Sequence, residues 1–157
     1  MAESQSISTH PDMYDRILLP TDGSDTADLA TERAIDAAVR YDATLHALYV
    51  VEHTREEPTQ TGFEEHVAAE RRDGKRVIAD VERRATAHGV ALESTIEDGV
   101  PRTTIEEYAG EHDIGLIVVG SLGASQVTEK LLGTVAKYVV NEAAADVLVV
   151  RPDDVLE

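Results

Sequence analysis

Short apolar runs alternate along this chain with longer stretches in which apolar residues return every three or four positions. The first pattern suits buried strands and the second amphipathic helices. YDRILLPTD reads as a strand stopped at Pro20, and GSDT then offers Ser24 or Asp25 as a helix N-cap. Ala27, Ala30, Ala34, Ala38 and Tyr41 continue at helical spacing, and TLHALYVV is the second strand. Residues 52–63, EHTREEPTQTGF, form a polar connection too long for a simple turn and are the expected partner-facing segment. A long helix follows, with Val67, Val77, Ile78, Val81 and Ala85 on one face. Gly74 weakens its middle by about 1 kcal/mol relative to alanine. ALESTIE is a third, more polar strand, and Pro101 suits the first turn of a helix carrying Ile105, Tyr108 and Ala109. IGLIVV is the fourth strand; a glycine-bearing stretch, a helix presenting Val135, Tyr138, Val139 and Glu142, and the strand VLVV close the chain.

Strands alternating with helices throughout predict an α/β fold, an open twisted parallel five-stranded sheet with helices on both faces. ILLP and IGLIVV are apolar on both faces and belong near the centre, whereas ALESTIE alternates and belongs at an edge. VLVV is apolar throughout, so an edge position would require a cover. The order 3-2-1-4-5 with right-handed crossovers satisfies these constraints. It sets strands one and four side by side at the point where the chain reverses direction across the sheet, the place where open α/β sheets bind ligands. The organisation expected is a disordered lead over 1–13, one domain over 14–152 and a tail over 153–157.

Charge alters the functional picture more than size does. The 157 residues hold 31 Asp and Glu against 14 Lys and Arg, a formal charge of −17, spread along foldable segments rather than gathered in a tail. Such a surface repels nucleic acid and anionic lipid, so neither is an expected partner. It also opposes compaction unless salt screens it, which points to a halophilic, archaeal source. There is no cysteine, no apolar run long enough to span a bilayer and no secretion signal in MAESQSISTHPDM, so a reducing cytoplasm is the expected location.

The chemistry concentrates in GSLGASQVTEKLLGT, residues 120–134, immediately after the most apolar strand. Glycines beyond a strand end let a ligand approach bare main chain. Gly133 and Thr134 open the last helix, whose free N–H groups and positive dipole end hold phosphate without a cationic side chain. That matters here, because long-range electrostatics would expel an anionic nucleotide; a divalent cation is the expected neutralising partner. The stretch is neither a P-loop, lacking GK[ST], nor a GxGxxG fingerprint.

With G-x2-G-x9-G-[ST] complete in Gly120, Gly123, Gly133 and Thr134, the chain resembles the ATP-binding branch of the universal stress protein family. The likeness extends to PTDGS, YVVE, the G-x-P before the third helix and LLGT leading into VLVVRP, about residues 14–152. It implies ATP or another adenine nucleotide with Mg²⁺ or Mn²⁺. Pro20, Thr21 and Asp22 would line the adenine and ribose pocket, Val50 would meet adenine through its backbone, and Val119 and Gly120 would lie beside the ribose. Gly123, Gly133, Thr134 and Val135 would contact phosphates. The family's habit of dimerising through the last strand implies a homodimer across Val147–Val150, acting in stress response or signalling through a further protein partner. Departures are Leu122 and Ala124, where many relatives carry a histidine and a basic residue, and Asp146, where proline is usual. Leu122 and Ala124 leave open an interaction module of the same fold without ATP; a slow ATPase is a separate alternative.

Other residues carry less. Asp25 reads as a cap, and Asp22 stands at the switch point. His10, His46, His53, His66, His88 and His112 lack metal-ligand spacing, and His46 reads as packed or facing a helix. Ser24 has no histidine partner at motif spacing, and Ser121 and Ser125 read equally as phosphate contacts or loop polar groups. Lys130 and Lys137 are the nearest cations and read as solvated helix charges. With no positioned base and no arginine finger, no catalytic or metal-binding residue is assigned, and ATP turnover would be weak at most.

Overall fold

Strand β1 (Arg16–Pro20) takes the middle of the sheet because Ile17, Leu18 and Leu19 are all fully buried, and only a strand covered on both faces can hide three consecutive apolar side chains. The computed structural model describes residues 13–52, 62–121 and 133–152. Gly123 and its neighbours Leu122, Ala124, Ser125 and Lys130, most of the 52–63 connection, and nearly all of the proposed lead and tail lie outside the described residues.

The remaining strands are β2 (Thr44–Glu52), β3 (Leu92–Gly99), β4 (Leu116–Gly120) and β5 (Asp146–Val150). They form one parallel sheet in the order β3-β2-β1-β4-β5, as the polarity of the strands predicts. The polar ALESTIE segment is indeed an edge, and β5 is the other. Helices α1 (Asp25–Tyr41) and α2 (Phe63–Ala87) cover one face, packing on Ile17, Leu19, Leu45, Ala47 and Val118. Helices α3 (Pro101–Glu111) and α4 (Thr134–Glu142) cover the other, over Leu18, Leu48, Ile117 and Val119. Alternate residues of each strand therefore feed two separate cores.

Of the two possible caps for α1, Ser24 fills the position: its Oγ accepts from the Ala27 N–H at 3.2 Å, while Asp25 is the first helical residue. At the opposite end of the sheet the Tyr14 hydroxyl donates to Asp146 at 2.7 Å, tying the entry to β1 to the start of β5. This bond to a carboxylate raises the phenol pKa to about 12.

Gly74 has a packing role that the helix pattern does not disclose. A Cβ there would lie 2.6 Å from Cδ1 and 3.1 Å from Cγ of Tyr49, a ring that is 6% exposed. The tyrosine occupies the volume a side chain would fill, so the helix-propensity deficit of glycine is offset by burial of an aromatic ring. Gly74→Ala is therefore expected to destabilise the protein by about 1–2 kcal/mol despite its better helix propensity. Chemical denaturation should show that sign reversing in a Tyr49→Leu background, where the clash is gone; an alanine that stabilises both backgrounds would contradict the packing.

Candidate functional site

The carboxyl ends of β1 and β4 lie side by side, fixed by the pairs Ile17↔Leu116 and Leu18↔Ile117. Pro20 pairs with Leu48, and the Thr21 N–H continues the ladder to the Leu48 carbonyl at 2.9 Å, which brings the end of β2 and Val50 to the same rim. Val119 is buried beneath it, and Gly120 ends the neighbouring strand. The switch point thus gathers Pro20, Thr21, Asp22, Val50, Val119 and Gly120 at one edge of the sheet.

Two helices start from this edge, and their N-termini differ. At α1 the Ser24 hydroxyl caps the first turn, Asp22 Oδ1 accepts the Ser24 N–H at 3.0 Å, and Asp25 and Asp28 add negative charge. That end is already supplied with acceptors and acids of its own. At α4 the cap is Gly133, there is no side-chain cap hydrogen bond among the described residues, and the first turn contains no acid. N–H groups at such an end lack helical acceptors, and the dipole leaves it partly positive. Gly133 has φ −65° and ψ 162°, angles open to any residue, so main-chain conformation does not account for the glycine. Thr134 is exposed and Val135 half-buried beside it.

Ser121 joins these parts. Its N–H donates to the Val150 carbonyl at 2.8 Å, and its own carbonyl accepts the Gly133 N–H. One residue thereby connects β4, β5 and the start of α4. Its side chain is fully buried, and the hydroxyl has no hydrogen-bond partner among the described residues. The sequence leaves Ser121 undecided between two roles; burial is what singles it out.

The chain matches the universal stress protein family over residues 13–151. It belongs to that family. A universal stress protein of Methanocaldococcus jannaschii is 33% identical over 141 residues, covering 88% of this chain and 83% of that protein. Among solved structures, the universal stress protein UspA from Lactobacillus plantarum is 34% identical with a TM-score of 0.82, covering 88% of this chain and 98% of that one. A further universal stress protein, solved in complex with cAMP, is 28% identical with a TM-score of 0.70 and the same coverages, 88% and 98%. The fold expected from the resemblance is the fold found.

Gly120 has a second reason to be glycine. A Cβ there would come within 3.0 Å of Thr26 Cβ and 3.1 Å of the Thr26 carbonyl carbon and oxygen, in the first turn of α1. The missing side chain lets α1 lie against the end of β4, so close approach of a ligand is not the only explanation for this position. A cavity of about 270 Å³ adjoins this rim between α1 and α2, lined in part by Thr21, Ser24, Arg76 and Arg84. Arg84 spans it, bonding Asp28 at 2.6 Å and Asp80 at 3.1 Å. With its guanidinium already committed to two carboxylates, this flank is poorly suited to an anion. Among the described residues no group of three or more His, Asp or Glu side chains is arranged to hold a metal ion. None of the described helices is long and apolar enough to cross a membrane.

Because the Gly120 contact is with Thr26 Cβ and with Thr26 main chain, which move only with the whole helix, Gly120→Ala is expected to cost about 1–3 kcal/mol of stability. Thermal denaturation without nucleotide should register this loss in full. A variant as stable as wild type would show that α1 does not depend on the close approach.

Proposed function

We propose that this chain binds an adenine nucleotide at the switch point between β1 and β4, with its phosphates on the uncapped N-terminus of α4. The observation that carries the reading is the contrast between the two helix ends at this edge: α1 is capped and acidic, α4 is neither. An anion approaching a protein of formal charge −17 is repelled at long range and gains only from short-range donors. The amides of Thr134 and Val135, behind Gly133, are donors of that kind, and Gly123 would add to them. Pro20, Thr21, Asp22 and Val50 stand where the base and ribose would lie, with Val119 and Gly120 beneath. The cAMP complex of a family member 28% identical to this chain supports an adenine ligand. ATP is the expected form, with Mg²⁺ or Mn²⁺ neutralising the triphosphate and bound through it. The chemistry assigned is binding rather than turnover.

The same reading makes the protein a homodimer through β5, with nucleotide occupancy altering the surface presented to a protein partner. Strand β5 is an edge, and Leu148 on it and Val140 on α4 are 42% and 46% exposed. An unpaired strand edge with apolar side chains is satisfied by a second copy.

Gly133→Asp separates binding from folding. An aspartate at this cap suits the backbone angles and stabilises the helix by about 0.3–1 kcal/mol while placing a carboxylate where phosphate would sit. Isothermal titration with Mg-ATP in high KCl should show binding by wild type and a loss of tenfold or more in the variant, with the melting temperature held or raised. Undiminished affinity in Gly133→Asp would remove α4 from the site; no heat from wild type with Mg-ATP or cAMP would leave an interaction module of the same fold. Light scattering should find a dimer that Leu148→Glu converts to monomer, and a wild-type monomer would refute the β5 interface.

A further inference from the structure

His46 is the one buried imidazole among the described residues, 2% exposed, and the nucleotide reading makes no use of it. It lies on β2, on the sheet face that α3 covers, and its Nδ1 is 2.8 Å from the Tyr108 hydroxyl of that helix. Its Nε2 is buried with no hydrogen-bond partner among the described residues. Tyr108 in turn stacks on His112, rings 3.7 Å apart and 15° from parallel, and the His112 Nδ1 lies 3.0 Å from the Tyr108 carbonyl oxygen. The edges of His46 and His112 also meet, at 5.7 Å between centroids.

A neutral imidazole has one donor and one acceptor nitrogen, so a single bond to Tyr108 leaves one nitrogen unsatisfied whichever tautomer is present. Protonation converts both nitrogens to donors and adds a charge, and the Nε2 donor has nothing to receive it. The charged groups nearby offer limited relief. From β3, Glu93 Oε1 is 4.0 Å from Nδ1, the side that Tyr108 already occupies, and this carboxylate is 65% exposed. From β1 comes Arg16, and from α3 comes His112, both of which oppose a positive charge on His46. Glu97, also on β3, bears on Tyr108 rather than on the imidazole.

We propose that His46 is an acid-sensitive latch beneath α3: neutral, it fastens the helix through Tyr108; protonated, it releases the helix from the sheet. Burial holds the imidazole below its ordinary range, outweighing the opposite pull of Glu93. The unfolded chain, titrating near pH ~6.5, therefore binds the proton more readily than the folded chain does. Stability from this group is complete above that pH and declines as pH falls below it, until the folded-state pKa is passed. Screening of the carboxylates by added protons runs the other way in so acidic a protein, so the latch is visible as a local loss against a rising background. Because α3 shares its core with Ala136 and Val139 of α4, release would extend towards the helix that begins at Gly133.

Amide hydrogen exchange on the full chain at constant high KCl, corrected for the intrinsic pH dependence of exchange, tests this. Between pH 7.5 and 5.5, peptides from α3 should lose protection relative to α2 by up to about tenfold per pH unit below 6.5. His46→Phe should abolish that selective loss, while His112→Asn should retain it. Equal behaviour of α2 and α3 in wild type, or an unchanged loss in His46→Phe, overturns the proposal. Should His46→Phe fail to fold, ¹⁵N titration of the wild-type ring decides: protonation well below the ordinary histidine range supports the latch, and protonation at or above that range overturns it.

Discussion

The contact between Thr26 and the bare Cα of Gly120 governs the geometry of the crevice. Helix α1 follows β1 but packs across the seam on β4, and its first turn comes so near that a methyl group would fit only if the helix gave way by a few tenths of an ångström. The sheet pairs the two strands, and the steric limit sets how near α1 comes to the end of β4.

On that frame the two helix ends divide their electrostatic roles. A strongly acidic chain has no surplus of cations for anion binding, and the described flank with arginines near it has them paired with carboxylates. What remains is main-chain polarity, which carries no net charge to be cancelled by the surface. Local donors and global repulsion then act at different ranges, and salt weakens the second far more than the first.

The sheet order was legible because each strand's polarity reports how many of its faces are covered. ILLP could only be interior, and ALESTIE could only be at a rim. Pro101 and Tyr41 marked helix limits for similarly local reasons, whereas the cap read at Asp25 belongs to Ser24, because it is the Ser24 hydroxyl that reaches the Ala27 N–H. Three features were not legible because they depend on contacts distant in sequence. Gly74 reads as a weakness until Tyr49 is seen against it; Gly120 reads as ligand clearance until Thr26 is seen beside it; Ser121 reads as a loop serine until its burial is known. His46 was recognisable as packed, but not that one of its nitrogens would be left alone. The glycine motif was the most readable part of the site, although Gly123 lies outside the described residues.

Ser121 has a consequence for how the proposed ligand and the proposed second copy would influence each other. Its amide holds β5 and its carbonyl holds the entrance to α4, so the proposed phosphate seat and the proposed assembly edge are separated by a single residue. A displacement at one would reach the other through these two main-chain hydrogen bonds, with no relay of side chains. If the proposed pairing and the proposed ligand are coupled there, thermodynamic reciprocity would make pairing of subunits and retention of the nucleotide two readings of one coupling constant.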